Sequence, residues 1–380
     1  MRVLFCTTPM LGHFNPMVPL AWAMRAAGHE VMVSTADGFT AQVCERGLPV
    51  MPLPAVDPRE VMARDRQGRP VPYPSGSAGR VLRSGRGWAR LGARLLADTL
   101  TVMSRWRPDL VVVDPVEYAG RLAAARLGLP WVEHGWGIWP NPRFAVGAEK
   151  ELAPELEQLG LAGLPDPACR LDPCSPSLQR RGVAAAPMRY VPVTGPATLP
   201  GWLDDPRRRP LVCVTFGSVL PKLNADGVLG LTSRLMRTLV GLGVDVAVAT
   251  DPAAAEPLHP LPAGVLAAGW LPLDHVLPQC AVLVHYGASG TTMTAMAAGV
   301  PQVVVTMPVA DAPDNAERIA AAGLGICLPS SALDADAVAD ACHTLLRDGS
   351  WRSRAAEVAA EQLDRPYPYE VAEQLAAALG

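Results

Sequence analysis

Short β-branched apolar runs, separated by stretches of helical period, recur from one end of this chain to the other. The first run covers residues 2–6, and residues 17–27 then carry apolar side chains at helical spacing before Gly28. A second run follows at 30–34. A strand, helix, strand order with so short a connection implies a parallel βαβ unit, whose ligands collect at the carboxyl ends of its strands. Asn15 and Pro16 read as the cap and first position of that helix. Runs at 109–113 and 131–133 predict two more strands, with a helix through Ala125 between them. Residues 52–92, rich in Pro, Gly and Arg, read as long loops leading into one helix over 88–104. Residues 152–186 read as a helix followed by proline-punctuated loops, and 194–210 has the composition of an interdomain linker. The alternation then restarts, with strands at 211–216, 244–249, 265–267, 282–284 and 302–306. Helices are expected at 229–242, 315–322, 336–346, 351–363 and 370–379. The whole predicts an α/β protein of two doubly wound, Rossmann-like parallel-sheet domains, 1–195 and 211–365, joined by a linker at 196–210. The C-terminal helix, 366–380, is expected to pack back on the first domain.

Within the second half, residues 282–302 stand out: an apolar strand stops at His285, gives way to Gly287, Ser289 and Gly290, and enters an Ala/Met-rich helix that ends at Gly299 and Pro301. Small residues at a helix head leave the first-turn N–H groups facing outward. Their unsatisfied donors and the positive dipole end then favour an anion such as a diphosphate.

Composition narrows the class. The 380 residues exceed one comfortable core and are 49% apolar, enough for two cores. A net charge of −3 with scattered arginines argues against a nucleic-acid surface. The eight cysteines lie singly, without CxxC or metal spacing, which fits reduced thiols in a cytoplasm. No apolar run is long enough for a membrane span, and the first loop lacks the G-x-G-x-x-G of a dinucleotide-binding dehydrogenase.

Taken together, the motifs resemble GT-B glycosyltransferases of the UDP/TDP-sugar superfamily, in particular bacterial enzymes that decorate polyketides and similar aglycones. The resemblance rests on Gly12-His-Phe-Asn-Pro16, Ala27-Gly-His-Glu-Val31, Pro108-Asp-Leu-Val-Val-Val-Asp114, Phe216-Gly-Ser218, Gly269-Trp-Leu-Pro272, the stretch 285–302 and the stretch 311–318. It implies two domains facing each other across a cleft. His13 matches the family's general base and Asp114 its partner carboxylate; imidazole suits deprotonation of a hydroxyl near neutral pH, and a carboxylate on the far ring nitrogen fixes its tautomer. Trp270 matches the platform for the nucleotide base, with Leu271 beside it. Ser218, His285, Ser289, Gly290 and Thr291 match diphosphate contacts, and Asp311 an acidic contact to sugar hydroxyls. Acceptor binding falls to the first domain, where Trp88, His134, Trp136, Trp139 and Phe144 are candidates to line an apolar cleft.

Two positions depart from the family pattern. Ala312 stands where glutamine often follows the aspartate, and Met293 stands where plant relatives carry a ribose-binding glutamate. Both favour a TDP-linked deoxysugar donor, because an unpartnered hydroxyl is costly to bury. Asp334-Ala-Asp336 fits a D-x-D metal motif formally, but at a helix head it reads as capping, so neither metal nor cofactor is expected. The expected partners are a nucleotide sugar and a small hydrophobic aglycone, with homodimerisation left open. The rival readings are an epimerase or hydrolase of the same fold, and a non-catalytic auxiliary of a transferase.

Overall fold

A computed structural model describes residues 1–217, 225–308, 311–329 and 334–379. They form two compact units, one of Met1–Cys174, Arg181–Val191 and Arg365–Gly380, the other of Ser175–Arg180 and Pro192–Asp364.

The first unit is built on seven parallel strands: β1 (Arg2–Cys6), β2 (Glu30–Ala36), β3 (Val50–Leu53), β4 (Leu110–Val113), β5 (Trp131–His134), β6 (Cys169–Asp172) and β7 (Ala186–Pro187). Their order is β3-β2-β1-β4-β5-β6-β7. Strand order therefore reverses between β1 and β4, which pair side by side from Val3↔Leu110 to Cys6↔Val113. Helices cover both faces of such a sheet, which is why β1 and β4 read as near-continuous apolar runs and bury Val3, Leu4, Phe5 and Val111 to Val113 completely. After β1 come a short helix, α1 (Leu11–Phe14), and then α2 (Val18–Ala26). The C-terminal helix Pro368–Leu379 packs on α2.

Two local expectations are corrected here. Asn15 does not cap a helix: the chain is already helical through α1, Asn15 sits at φ −53°, and its side chain accepts from Arg46 Nε at 2.8 Å. The stretch read as long loops holds β3, α3 (Pro58–Ala63) and a 30-residue helix, α4 (Ser77–Trp106). Gly85, Gly87 and Gly92 of α4 are points of close approach. A Cβ on Gly85 would lie 2.1 Å from the Phe144 carbonyl oxygen, and one on Gly92 would lie 2.7 Å from Tyr118. Those neighbours sit in α5 (Tyr118–Leu127) and α6 (Arg143–Glu151), so packing holds α4 helical against its composition.

The second unit has six parallel strands: β8 (Leu211–Thr215), β9 (Asp245–Ala249), β10 (Val265–Gly269), β11 (Val282–His285), β12 (Gln302–Thr306) and β13 (Gly325–Pro329), in the order β10-β9-β8-β11-β12-β13. It too reverses at its centre, between β8 and β11. Helices α7 (Ala225–Gly241), α8 (Ser289–Ala297), α9 (Ala312–Ala321), α10 (Ala335–Arg347) and α11 (Gly349–Ala360) complete its layers. Residues 196–210 belong to this unit: Leu203, in the turn Gly201–Asp204, is buried in a core cluster with Cys213 and Leu277. Asp334 caps α10 by accepting from the Asp336 N–H. Among the described residues no helix is long and apolar enough to cross a membrane.

Candidate active site

His13 and Asp114 in the first unit and the head of α8 in the second lie where strand order reverses, the place at which an open α/β sheet splays its carboxyl ends to admit a ligand, whereas Trp270 follows the edge strand β10. In the first unit, α1 follows β1 and presents His13, while Asp114 directly follows β4. Because β1 and β4 are neighbours, the two side chains meet: His13 Nδ1 lies 3.2 Å from Asp114 Oδ1. Asp114 is fully buried and accepts further bonds from Val116 N–H (3.0 Å), Thr8 N–H (2.9 Å) and the Thr8 hydroxyl (3.1 Å). Burial alone pushes its carboxyl up, but the His13 charge and the bonds from His13, Thr8 and Val116 outweigh burial and hold it below the ordinary range. An ionised carboxylate only accepts, so in the neutral form of the ring the proton sits on Nδ1 and Nε2 keeps a lone pair. The imidazole is 14% exposed, with Trp136 and Trp88 centred 4.4 and 5.1 Å from it. Val116 was not legible as a site residue, since its backbone N–H carries the contact, and Thr8, which adds its hydroxyl to its N–H, meets Asp114 only across the β1–β4 pairing.

The remaining acceptor candidates divide. Trp88, Trp136 and Phe144 all belong to the buried core of this unit, and Trp139 is half-buried against Gly135. His134 is fully buried; its Nδ1–H donates to the Gly135 carbonyl at 2.7 Å, and burial lowers its pKa to about 4. Its Nε2 has no partner among the described residues. Glu117 caps α5 through the Gly120 N–H, and burial together with the Asp114 charge raises its pKa to about 8.

In the second unit, β11 delivers the turn that heads α8. His285 is fully buried and both ring nitrogens are engaged: Nδ1 accepts from the Gly287 N–H (3.2 Å), and Nε2 faces Gln302 Oε1 (2.9 Å). Burial lowers its pKa to about 4 and keeps it neutral. His285 was expected to touch a diphosphate, but in this arrangement its ring braces the turn. The Ser289 hydroxyl is likewise engaged, donating to Asp311 Oδ2 and accepting from Asn315 Nδ2 at 3.0 Å. Asn315 also donates to the Gly287 carbonyl at 2.8 Å. Ala288 at the N-cap supplies no side-chain acceptor, and Thr292 N–H is bonded to the Ala288 carbonyl. The head of α8 at Thr291 thus stands where a helix N-terminus favours an anion.

Trp270 follows Gly269, whose φ of +150° favours glycine, and is 49% exposed, as a stacking platform requires and a core aromatic does not. Leu271 is buried beside it. Ser218 lies outside the described residues. The readings of Met293 and Ala312 need correction. Met293, on the inward face of α8, is fully buried, so it offers no apolar face to a ribose. Ala312 is 1% exposed and packs on Gly287, so its position turns away from solvent.

Comparison with known proteins places this geometry. The erythromycin biosynthesis protein CIII-like family matches residues 22–217 with its N-terminal domain and residues 233–378 with its C-terminal domain. The chain is 42% identical to the L-demethylnoviosyl transferase of Streptomyces niveus, over 99% of this chain and 98% of that one. It is 36% identical to the elloramycin glycosyltransferase ElmGT of Streptomyces olivaceus, covering 100% and 98%. The glycosyltransferase SsfS6 of Streptomyces sp. SF2575, solved with thymidine diphosphate, superposes with a TM-score of 0.89 at 36% identity over the whole of both chains. The spinosyn rhamnosyltransferase SpnG, solved with thymidine diphosphate and with spinosyn aglycone, gives 0.87 at 30% identity, covering 99% and 100%. With both domains of the family model and nearly the full length of its relatives matched, the chain belongs to the erythromycin biosynthesis protein CIII-like family and is a GT-B glycosyltransferase of family 1 that transfers a sugar to an aglycone.

Proposed function

We propose that this enzyme moves a deoxysugar from a TDP-linked donor to a hydroxyl of a hydrophobic natural-product aglycone, with inversion at the anomeric carbon and His13 as general base. The observation that carries it is the dyad: a buried, ionised Asp114 holds Nδ1–H of His13, leaving Nε2 to accept, with two tryptophan rings packed near the imidazole. The acceptor hydroxyl gives its proton to Nε2 as its oxygen forms a bond to the anomeric carbon. The bond from that carbon to the diphosphate breaks on the opposite face, and the electron pair leaves with TDP. Asp114 stabilises the imidazolium that forms, while Trp88 and Trp136 exclude water from it. The diphosphate is assigned to the head of α8, Ser218 and Thr291, with Trp270 under the base and Asp311 near the sugar. No metal or cofactor enters these steps. The choice of TDP follows relatives solved with thymidine diphosphate.

The test is a mass-spectrometric screen of TDP-deoxysugars, TDP-glucose and UDP-glucose against aromatic and macrocyclic polyketides, with the product's anomeric configuration read by NMR. A preference for UDP-glucose overturns the donor, retention overturns the inverting mechanism, and undiminished turnover by His13→Ala overturns the base.

A further inference from the structure

The turn that heads α8 is held at a single residue, Gly287, through both its N–H and its carbonyl. Asn315 Nδ2 donates to the Gly287 carbonyl, and the Gly287 N–H donates to His285 Nδ1. Gly287 sits at φ +99°, and a Cβ there would lie 3.0 Å from the Ala312 carbonyl oxygen, so the backbone runs tight against α9. The second tether works only if Nδ1 is bare. A neutral imidazole with a bare Nδ1 must carry its proton on Nε2, and a buried N–H must find an acceptor. Gln302, 1% exposed at the start of β12, supplies it through Oε1 at 2.9 Å. β12 pairs with β11 so that Gln302 lies opposite Leu283, two residues before His285 and on the same face of the sheet. One orientation of the amide and one tautomer of the ring satisfy every group; the reverse of either sets two N–H groups against each other.

We infer that Gln302 is a positioning residue for sugar transfer: by accepting from His285 Nε2–H it fixes the tautomer whose Nδ1 holds the Gly287 N–H, and so sets the geometry of the turn heading α8. This rests on the reading of that helix head as the diphosphate site. Gln302 itself touches no substrate. It acts through His285 on the amides that follow Gly287, so its loss weakens the hold on the donor and leaves recognition of the acceptor unaltered.

Two measurements test this. Nitrogen-15 NMR of histidine-labelled wild-type protein at pH 7.5 should show the Nε2–H form alone for His285, assigned by its loss in His285→Asn; the Nδ1–H form overturns the inference, whatever the enzyme binds. Gln302→Met keeps the side-chain length and removes the acceptor. It should show mixed tautomers, a TDP affinity and donor kcat/KM lower by about tenfold, and an unchanged acceptor KM. Donor kcat/KM within twofold of wild type in folded Gln302→Met overturns the role, and the wild-type spectrum decides if that variant fails to fold. Absence of TDP binding by the wild-type enzyme would instead sink the assignment of the diphosphate site, which leaves the two failures distinguishable.

Discussion

Asp114→Asn isolates the charge of the dyad from its shape. The native carboxylate takes four bonds, with His13 and Val116 N–H on Oδ1 and the two Thr8 donors on Oδ2. An asparagine must turn its NH₂ towards one of these pairs. Facing His13 and Val116, it meets two N–H donors and forces His13 into the tautomer that cannot accept on Nε2. Facing Thr8, it meets one fixed N–H and a hydroxyl that can reverse, so this orientation is favoured and His13 keeps a neutral acceptor. One buried N–H is then left unpaired, a stability loss of about 1–3 kcal/mol. The catalytic loss is larger, because the imidazolium formed during transfer no longer faces a negative charge. Two unit charges about 4 Å apart at an effective dielectric of about 20 attract by about 4 kcal/mol, close to 10³ in rate. Turnover should therefore fall about 10²–10⁴-fold, with TDP affinity within about twofold of wild type. Single-turnover assays at saturating donor, with calorimetry of TDP binding, give both numbers. Turnover within about threefold of wild type would refute the dyad, and a parallel loss of TDP binding would show that the substitution acts by unfolding.

Three further outcomes are expected. Trp270→Ala removes a half-exposed ring and should weaken TDP binding about tenfold or more, against base stacking worth about 1–3 kcal/mol; unaltered calorimetric affinity would count against the platform. Gly85→Ala should lower the melting temperature, because overpacking against the Phe144 carbonyl costs about 1–3 kcal/mol, with the 2.1 Å approach favouring the upper end over the roughly 1 kcal/mol of helix propensity gained. Buried His134 and His285 have pKa values lowered to about 4 from 6.5, so between those pH values the unfolded chain binds protons that the folded one refuses. Their contribution is complete above pH 6.5 and is lost as pH falls towards 4, at most roughly 3 kcal/mol each. Urea midpoints measured from pH 7.5 to 4.5 should fall across that window, and His134→Asn should flatten part of the slope.

The amino-acid sequence by itself determined the two α/β halves, because a strand covered on both faces must be apolar throughout and a surface helix must repeat every 3.6 residues. It also pointed to His13, Asp114, Trp270 and the helix head after His285, since residue types and order around those positions carry chemistry that a chain can show without folding. Short or mixed strands escaped it: β3 contains a proline, β7 has two residues, and β6 and β13 carry charge or glycine. The start of α4, before residue 88, escaped it as well, because glycine is a poor helix former in isolation and the use of Gly85 against Phe144 exists only once α6 is in place. Only tertiary structure decided that Met293 and Ala312 turn inward, that the Ser289 hydroxyl is engaged by Asp311 and Asn315, and that Gln302 stands behind His285. Those facts depend on which strand lies beside which and on the direction each helical side chain takes. A hydrogen bond between residues on adjacent parallel strands leaves no local signature, because neither residue type nor spacing along the chain encodes the partner.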